Sequence, residues 1–376
     1  MGRHCKALVN RMPTSFKNLI IDGIPYSGEA ILHWADDLVK GQRGAAWASD
    51  LRLTLRELCT GSGTFNTRTS GTTGAPKALS ISKADLQASA ELTRTTFGLQ
   101  KGDRTLLCLP CEFIGGKMMV VRAMLLGLDM HAIDPRGGVL RNLLVPDRFK
   151  FAAMVPMQLH TALQHDAARV EEQFDLILLG GGPVSEALFA RTQGLRTRVV
   201  LGYGSTETVT HVALRELNGS QASEEFTAIG EVSFAIDARG CLIIRAPHLS
   251  VPERITNDLV ELIDERRFRW LGRHDHVILS GGRKIHPERL EAVTAGVVPY
   301  PHFFAALPDE RLGQSVVLLV ETGNDNGKVP QDALHGLNGL LYDHERPRRV
   351  ISLREFVRTS SGKIERARTL ALVDKQ

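Results

Sequence analysis

The sequence predicts an α/β protein: a large N-terminal domain of mostly parallel sheets covered by helices, a small antiparallel β unit, and a small α+β C-terminal domain. Over the first two thirds of the chain, short apolar runs alternate with helical stretches, which is typical of parallel sheets buried on both faces. Near residue 226 the pattern changes to short strands joined by tight turns. The last region mixes strands and helices again.

Individual elements follow from local patterns. Strands of the first region are predicted at 106–109, 151–155, 176–179 and 198–201. A helix is predicted at 116–126, and Ser82 with Asp85 predicts the start of another that runs to Thr96. Strands of the antiparallel unit are predicted at 232–237, 241–245, 260–264 and 267–271, with 238–240 as a hairpin loop. The last region has predicted strands at 277–279, 303–307 and 316–320, and helices that start near Pro287 and Gln331.

Length and charge limit the classes of function. The chain has 376 residues, which predicts two or three domains at about 150 residues each. Its 46 Lys and Arg residues are nearly balanced by 42 Asp and Glu residues, which argues against nucleic acid or a membrane surface as a partner. The longest apolar run, 118–128, contains Arg122 and is shorter than the ~18 residues of a membrane span. The basic N-terminus lacks the apolar segment of a signal peptide.

Cysteine usage indicates a reducing, cytoplasmic setting. Five cysteines in a chain of this length do not resemble a disulfide framework. Cys108 and Cys111 have the spacing of a redox pair, but they end a strand-like run, so we expect two buried thiols. No metal site is expected from His274, His276 and His286, because His274 and His276 point to opposite faces of an extended segment.

The most informative segment is the loop at residues 69–77. Its glycines allow an anion to approach closely, and its hydroxyl and backbone N–H groups can surround phosphate oxygens. The residues predicted to hold phosphates are Thr69, Ser70, Gly71, Thr72, Thr73, Gly74 and Lys77. Taken alone, such a loop is also typical of an ordinary turn, and it does not satisfy the Walker A pattern.

Two more loops follow predicted strands. Residues 202–207 follow the strand at 198–201, and the glycine-rich residues 180–183 follow the strand at 176–179. Loops at the carboxyl ends of strands are where open α/β sheets bind ligands. Tyr203 offers a flat face for a base, and Glu207 offers a carboxylate for Mg²⁺. Three such loops on one edge of a sheet favour a nucleotide site.

These motifs, in this order, resemble those of the adenylate-forming superfamily of acyl- and aryl-CoA ligases, peptide-synthetase adenylation domains and luciferases. The match runs from about residue 63 to 370, and its further motifs lie at 256–258, 272–275, 278–291 and 358–366. The resemblance implies an ATP- and acyl-binding domain over residues 1–275, with a shortened first subdomain. It also implies a small mobile domain over residues 276–376 that turns about a hinge at Asp275.

The resemblance implies a role for each matching residue. Lys363 would bridge the attacking carboxylate and the α-phosphate of ATP, while Thr206 would contact that phosphate and Glu207 would bind Mg²⁺. The adenine and ribose contacts would be Gly181, Gly182, Tyr203, Asp258 and Arg273. The acyl and CoA pocket would be lined by Phe113, Lys117, Gly202, His211, Gly281 and Gly282. Lys363 is also compatible with a solvated lysine in a basic tail, and Asp258 with a turn cap.

Within the superfamily, the compact chain and the segments 109–122, 154–158 and 206–213 resemble the o-succinylbenzoate–CoA ligases of menaquinone biosynthesis. That resemblance implies a two-step ligase that uses ATP, Mg²⁺ and CoA with an aromatic dicarboxylic acid; a homodimer is left open. One alternative is another aryl- or acyl-CoA ligase or a carrier-loading adenylation enzyme. An alternative from a different class is a phosphotransferase or a nucleotide-binding module without catalysis. Phe113 departs from the family pattern, since many members carry His there.

The second carboxylate of such an acid needs a partner in the pocket, because a bare buried charge is costly. We expect Lys117 or His211 to provide it, with Arg122, further along the same helix, as a weaker candidate. The alternative for Lys117 is that it only extends from an apolar helix towards solvent.

Overall fold

A computed structural model of the protein describes residues 16–61, 63–68, 78–323, 329–359 and 362–373. The predicted phosphate loop, with Thr69, Ser70, Gly71, Thr72, Thr73, Gly74 and Lys77, lies outside the described residues. Within the described ranges, no helix combines the length and the apolar character needed to cross a membrane.

The described residues form the following elements in chain order. The strands are β1 (Asn18–Ile21), β2 (Ile24–Ser27), β3 (Thr64–Arg68), β4 (Ala78–Ser82), β5 (Arg104–Leu107), β6 (Asp129–Ala132), β7 (Phe151–Met154), β8 (Leu176–Leu179), β9 (Arg198–Gly204), β10 (His211–Glu216), β11 (Phe226–Ala228), β12 (Ser233–Ile236), β13 (Cys241–Arg245), β14 (Glu253–Asp264), β15 (Arg267–Arg273), β16 (Ile278–Ser280), β17 (Arg283–Ile285), β18 (His302–Asp309), β19 (Gly313–Glu321) and β20 (Arg349–Leu353). The helices are α1 (Glu29–Gly41), α2 (Ala46–Thr60), α3 (Lys83–Phe97), α4 (Ile114–Leu126), α5 (Pro156–Gln173), α6 (Glu186–Thr192), α7 (Pro287–Thr294), α8 (Gln331–Leu340) and α9 (Arg366–Leu370).

One mixed sheet of 13 strands forms the centre of the N-terminal part, with the order β12-β13-β14-β15-β11-β10-β9-β8-β7-β5-β6-β1-β2. From β9 to β1 neighbouring strands are parallel, which confirms the predicted parallel sheet. From β9 to β12 neighbouring strands are antiparallel. The predicted antiparallel unit therefore continues the same sheet and does not form a sheet of its own.

Burial follows the apolar pattern of the sequence. Strands β7 and β8 are buried along their whole length, as expected of parallel strands covered on both faces. Helix α4 packs against α2 and α3 as well as against β1, β5 and β6. Because it is enclosed in this way, nine consecutive residues from Met118 to Leu126 are buried. The predicted cap of α3 is also present, since Ser82 accepts a hydrogen bond from the Asp85 N–H at 3.0 Å.

Two strands are longer than the sequence predicts. Strand β9 continues to Gly204, because β10 pairs with it as far as His211 opposite Gly204. Strand β14 begins at Glu253, and Asp258 pairs with Arg273 across to β15. Residues 202–204 and 256–258 therefore belong to paired strands. The sequence had indicated a loop for residues 202–204 and was compatible with a turn at Asp258.

The C-terminal part has a smaller sheet in the order β17-β16-β19-β18, and β20 joins it in parallel with β19. Its buried apolar residues form two clusters of their own, which begin at Ile278 and Phe303. The large core of the N-terminal part ends at Phe268. The division at Asp275 stays a prediction, and this separation of the cores agrees with it.

Cys108 and Cys111 are buried free thiols, as expected. Burial raises the pKa of each thiol to about 12. Since the thiolate is the reactive form of cysteine, neither side chain is suited to redox or nucleophilic chemistry near neutral pH.

Four aromatic rings fasten the two parts of the main sheet together. Tyr203 is on β9, Phe226 on β11, Phe234 on β12 and Phe268 on β15. The ring centre of Phe268 lies 5.0 Å from that of Tyr203, 5.3 Å from that of Phe226 and 4.9 Å from that of Phe234. Phe268 is fully buried, so it supports the ring of Tyr203 from behind.

We predict that Phe268→Ala lowers the free energy of unfolding by about 3–5 kcal/mol, the usual cost of removing a buried aromatic ring. Urea unfolding followed by circular dichroism would measure it. A control is Ile255→Ala on β14, which removes a side chain that is 63% exposed and should change stability by less than about 0.5 kcal/mol. Equal, small losses for both variants would contradict the role of Phe268.

Candidate active site

The carboxyl ends of the parallel strands meet along one edge of the main sheet. Strand β5 leads to Phe113, which precedes the first residue of α4. Strand β8 leads to Gly181 and Gly182, and β9 leads to Thr206 and Glu207. The structure thus brings the predicted acyl, adenine and phosphate residues of these three loops to the edge where open α/β sheets bind ligands.

The turn after β9 holds Thr206 and Glu207. Within it, Thr208 Oγ1 accepts a hydrogen bond from the Ser205 N–H and donates one to the carbonyl oxygen of Thr210, both at 2.8 Å. Glycine is required at 204, since a Cβ there would lie 2.1 Å from that carbonyl oxygen. These contacts fix the shape of the turn that connects β9 to β10.

Glu207 fits a Mg²⁺ ion that is shared with substrate phosphates. Its side chain is exposed at the end of the turn. Among the described residues, no group of three or more His, Cys, Asp or Glu side chains is placed to hold a metal on its own. Because Mg²⁺ is often bound by one or two carboxylates together with water and phosphate oxygens, a single accessible carboxylate suits it.

The predicted adenine, ribose and hinge residues form one polar network. The Tyr203 hydroxyl donates to Asp258 Oδ2 at 2.6 Å, and an Arg273 nitrogen lies 3.6 Å from Asp258 Oδ1. Arg273 also donates two hydrogen bonds to Asp275, at 3.0 and 3.1 Å. Burial, together with the charge of Asp258, raises the pKa of Tyr203 well above its usual value. The network links the end of β9 to the predicted hinge.

A second network lies on the other side of the same turn. Arg122 is buried on α4 and donates to Thr93 Oγ1 at 3.1 Å and to Thr210 Oγ1 at 3.0 Å. His211 bonds to Thr210 through Nδ1 at 2.9 Å. Its Nε2 is buried without a hydrogen-bond partner among the described residues.

The electrostatics of this second network are unusual. Burial lowers the pKa of Arg122 to about 10, and no carboxylate of the described residues contributes to it. Burial and the nearby charge of Arg122 lower the pKa of His211 to about 3. Arg122 is thus a buried cation without an acidic partner in this part of the chain. Since such a charge is costly to bury alone, it is suited to an anionic ligand.

Lys117 lies against β3 and not beside Arg122 and His211. Its Nζ donates to the carbonyl oxygen of Asn66 at 2.8 Å and lies 4.8 Å from the centre of the Phe65 ring. Burial lowers its pKa. The structure therefore places Lys117 towards β3, and it brings Arg122 together with His211 instead. The sequence ranked Arg122 last, although an arginine in the middle of a helix that is apolar on all sides was a usable signal.

Lys363 lies on a short segment that is tied down on both sides. Before it, Arg358 forms an ion pair with Glu321. After it, Arg366 donates two hydrogen bonds to Glu291, at 2.8 and 2.5 Å. Burial lowers the pKa of Lys363. These pairs fix the segment to the C-terminal cores, and neither Thr206 nor Glu207 is among its described hydrogen-bond partners.

Gly281 and Gly282 form the two-residue turn between β16 and β17. Their φ angles are +56° and +78°, as this type of hairpin turn requires. Asp275 lies in a 3₁₀ turn between β15 and β16. Beside it, His276 Nδ1 and Glu288 Oε1 are 2.5 Å apart, so His276 has an acidic partner on α7. Within the described residues, no group of three or more His, Cys, Asp or Glu side chains at this point is placed to hold a metal.

Comparison with known proteins identifies the family. A family model described as AMP-binding enzyme matches residues 67–239. A solved structure of an AMP-forming acyl-CoA synthetase/AMP-acid ligase II-like protein from Dyadobacter fermentans is 33% identical, with a TM-score of 0.56, and the match covers 87% of this chain and 95% of that chain. The chain belongs to the AMP-binding enzyme family. This confirms the superfamily that the sequence motifs resembled.

Two relatives among the AMP-binding enzymes come from Mycobacterium tuberculosis. A probable 2-succinylbenzoate–CoA ligase is 29% identical over 321 residues, which cover 80% of this chain and 82% of that protein. A long-chain-fatty-acid–CoA ligase is 25% identical over 331 residues, which cover 79% of this chain and 65% of that protein. The chain thus spans less than two thirds of the fatty-acid ligase.

His211 predicts a pH dependence of stability. Its pKa is about 3 in the folded protein, whereas an unfolded histidine has a pKa near 6.5. As the pH falls below about 6.5, the unfolded chain binds the proton first, so stability is lost with a slope of at most about 1.4 kcal/mol per pH unit.

We therefore expect urea unfolding between about pH 6.5 and 4.5 to show a shallower pH dependence for His211→Gln than for the wild type. His165→Gln, at an exposed histidine, is the control and should keep the wild-type slope. If His211→Gln and the wild type gave parallel profiles, the buried neutral state of His211 would be wrong.

Proposed function

We propose that the protein is an AMP-forming acid–CoA ligase that uses ATP, Mg²⁺ and CoA. The observation that carries the proposal is the arrangement around the turn at residues 204–210. On one side lies a polar network suited to a nucleoside, formed by Tyr203, Asp258 and Arg273. On the other side lies Arg122, a buried cation suited to an acid. The turn between them is where the two substrates meet.

The reaction has two steps. In the first, a carboxylate oxygen attacks the α-phosphorus of ATP, the bond from that phosphorus to the leaving oxygen breaks, and pyrophosphate departs. In the second, the CoA thiolate attacks the acyl carbonyl carbon, the bond from that carbon to the phosphate oxygen breaks, and AMP departs. The protein itself supplies no covalent nucleophile, in keeping with the high pKa of Cys108 and Cys111.

Charge neutralisation is the main task of the site residues, because two anions must approach each other. Lys363 lies between the attacking carboxylate and the α-phosphate, and Thr206 contacts that phosphate. Glu207 would hold Mg²⁺, which would supply positive charge on the phosphates. Tyr203 stacks on the adenine with Gly181 and Gly182 beside it, and the phosphate role of residues 69–77 is an expectation from the sequence alone.

The C-terminal domain turns about Asp275 between the two steps. One orientation brings Lys363 to Thr206 for adenylation. The other presents the turn at Gly281 and Gly282 for thioester formation. Hinge rotation of this kind is a known type of domain movement. Because the apolar cores on the two sides of Asp275 are separate, the rotation would not require either core to be repacked.

The acid favoured by the pocket carries a second negative charge. Arg122 provides a full charge for it, and neutral His211 provides a hydrogen bond through Nε2. Such a charge-assisted hydrogen bond is the usual way to recognise a buried carboxylate. An aromatic dicarboxylic acid meets this requirement, and the relative named 2-succinylbenzoate–CoA ligase supports o-succinylbenzoate in particular. The alternative, another acyl-CoA ligase, is supported by the relative that acts on long-chain fatty acids.

Product analysis tests the proposal. The protein is incubated with ATP, Mg²⁺, CoA and a panel of carboxylic acids, and pyrophosphate, AMP and thioester are measured. We expect AMP and pyrophosphate in equal amounts, with o-succinylbenzoate as the best acid. Formation of ADP would instead identify a phosphotransferase, and thioester formation only on a phosphopantetheinyl carrier protein would identify a carrier-loading enzyme.

We predict that Lys363→Ala lowers the rate of adenylation by about 100-fold or more, because a group that neutralises developing charge is removed. Thioester formation from presynthesised acyl adenylate should largely persist, since that step no longer brings carboxylate and phosphate together. The two half-reactions are measured separately, by pyrophosphate release and by CoA consumption. Equal losses in both would indicate a general structural role for Lys363.

We predict that Arg122→Met lowers kcat/KM for o-succinylbenzoate by about 10- to 100-fold more than for a monocarboxylic analogue such as 4-phenylbutyrate. Lys117→Met is the matched control on the same helix and should affect both acids alike. Because the ratio of the two acids is compared within each variant, a smaller folded fraction does not change the result. A selective loss in Lys117→Met would assign the ring carboxylate to Lys117, and His211→Ala tests the remaining candidate.

A further inference from the structure

Arg122, Thr210 and His211 form a continuous chain of hydrogen bonds between α4 and the start of β10. Arg122 Nη2 donates to Thr210 Oγ1 at 3.0 Å, and Thr210 Oγ1 lies 2.9 Å from His211 Nδ1. Arg122 and His211 are 2% and 6% exposed, and Thr210 is half-buried between them. The position of each hydrogen in this chain decides what His211 can bind at its other ring nitrogen, Nε2.

The hydrogens can be assigned from the donors. A guanidinium group has N–H donors and no acceptor, so Thr210 Oγ1 must accept from Arg122. The hydroxyl hydrogen of Thr210 is then available to be donated, and His211 Nδ1 is within reach. In the part of the chain that the structure describes, the Thr210 hydroxyl has no further partner. Nδ1 therefore accepts, and a neutral His211 ring carries its hydrogen on Nε2.

Thr93 holds the guanidinium group through a second nitrogen. Arg122 Nε donates to Thr93 Oγ1 at 3.1 Å, and Thr93 Oγ1 donates in turn to the backbone carbonyl oxygen of Ser89 at 2.9 Å. Both threonines thus accept from Arg122 and donate their own hydrogen elsewhere. A neutral hydroxyl does not cancel the charge of Arg122, so the chain of hydrogen bonds starts from a full cation.

His211 stays neutral in these surroundings. Burial and the nearby charge of Arg122 lower its pKa to about 3, so the ring does not take up a second proton near neutral pH. A proton on Nδ1 would also face the hydroxyl hydrogen of Thr210, and the bond between them would be lost. The ring therefore keeps one hydrogen, on Nε2.

The Nε2 atom of His211 points to a missing acceptor. It is buried and has no hydrogen-bond partner among the residues described, and an unsatisfied buried polar atom is rare in a folded protein. The two bonds from Arg122 to Thr210 and from Thr210 to His211 run in the same direction, and bonds aligned in this way strengthen one another. Nε2 is therefore an enhanced donor, which suits a carboxylate oxygen.

We propose that Thr210 is a positioning residue that fixes His211 in the tautomer with its hydrogen on Nε2, so that His211 donates to the second carboxylate of the acid. The inference rests on the proposed function, in which that acid is a dicarboxylate. Arg122 supplies the charge, Thr210 sets the direction of the hydrogen bonds, and His211 presents the donor. An acid with an ammonium group at this position, which can only donate, is excluded by the same arrangement.

Nitrogen-15 NMR of protein labelled at histidine tests the tautomer without any substrate. The chemical shifts of a neutral ring distinguish the nitrogen that carries the hydrogen from the one that does not, and the signals of His211 are those missing in His211→Gln. We expect a bare Nδ1 and a protonated Nε2 in the wild type. Thr210→Val keeps the shape of the side chain without its hydroxyl and should move the Nδ1 signal, whereas Thr210→Ser should leave it near the wild-type position.

Two results of this experiment would overturn the proposal. The first is a hydrogen on Nδ1 of His211 in the wild type. The second is an Nδ1 signal that is the same in Thr210→Val as in the wild type, since the hydroxyl would then have no influence on the ring.

Kinetics test the consequence for the choice of acid. The probes are o-succinylbenzoate and 4-oxo-4-phenylbutyrate, which lacks only the ring carboxylate. Thr210→Val should lower kcat/KM for o-succinylbenzoate about tenfold more than for the analogue, and Thr210→Ser should keep the wild-type ratio. Thr227→Val, at an exposed threonine on β11, is the matched control and should also keep it. Equal losses on both acids in Thr210→Val would indicate a merely structural role and would overturn the proposal.

The two measurements separate this inference from the proposed function. If the wild type formed no thioester with any acid, the proposed function would fail, whereas a bare Nδ1 that responds to Thr210→Val would still support the positioning role of Thr210. A wild type that activates both acids equally well would overturn the link between the His211 tautomer and the choice of acid.

Discussion

Strand β9 is the element on which the rest of the site depends. It pairs in parallel with β8 and antiparallel with β10, so it joins the two kinds of sheet. Its carboxyl end therefore lies at the sheet edge where the candidate site is. The chain then reverses direction in the turn that leads to β10. Tyr203 ends on one side of this turn and His211 on the other. A shift of register by one residue would turn each side chain to the opposite face, so both networks depend on this pairing.

The arginines near Lys363 and the arginine on α4 have different kinds of partner. Around Lys363, arginines are matched by carboxylates, as in the pair of Arg366 with Glu291. These ion pairs fix the position of the segment that carries Lys363. In each pair, the carboxylate neutralises the charge of the arginine. On α4, Arg122 is buried with hydroxyl partners and no described carboxylate. A matched pair is suited to hold structure, whereas an unmatched buried cation is suited to bind an anion that comes and goes.

The sequence predicts the parallel sheet well, because β7 and β8 are uninterrupted apolar runs that need cover on both faces. It does not predict the first half of β14, where charged and polar residues alternate with few apolar ones. That stretch is held by pairing with β13 and β15, the strands that come immediately before and after it. Tertiary pairing of this kind overrides local propensity.

In the candidate site, too, some features could be predicted from the sequence and others depend on tertiary contacts. Motif residues such as Thr206, Glu207 and Asp258 could be named as candidates from the sequence, because their order along the chain carries the signal, and their roles stay predictions. The contacts that give Arg122 its importance could not, since Thr93 and Thr210 reach it from two other elements.

Ion pairs that are partly open to water hold the proposed hinge at Asp275. Arg273 contacts both Asp258, the proposed ribose residue, and Asp275, the proposed hinge, so a nucleotide bound to Asp258 would also change the surroundings of Asp275. The side chains of Arg273 and Asp275 are 28% and 33% exposed, and ion pairs with this much access to water contribute at most about 1 kcal/mol. Such a contact biases the hinge without locking it. In the proposed mechanism, any larger preference between the two domain orientations must therefore come from the substrates themselves, since a ligand shifts such an equilibrium only by its difference in affinity for the two states.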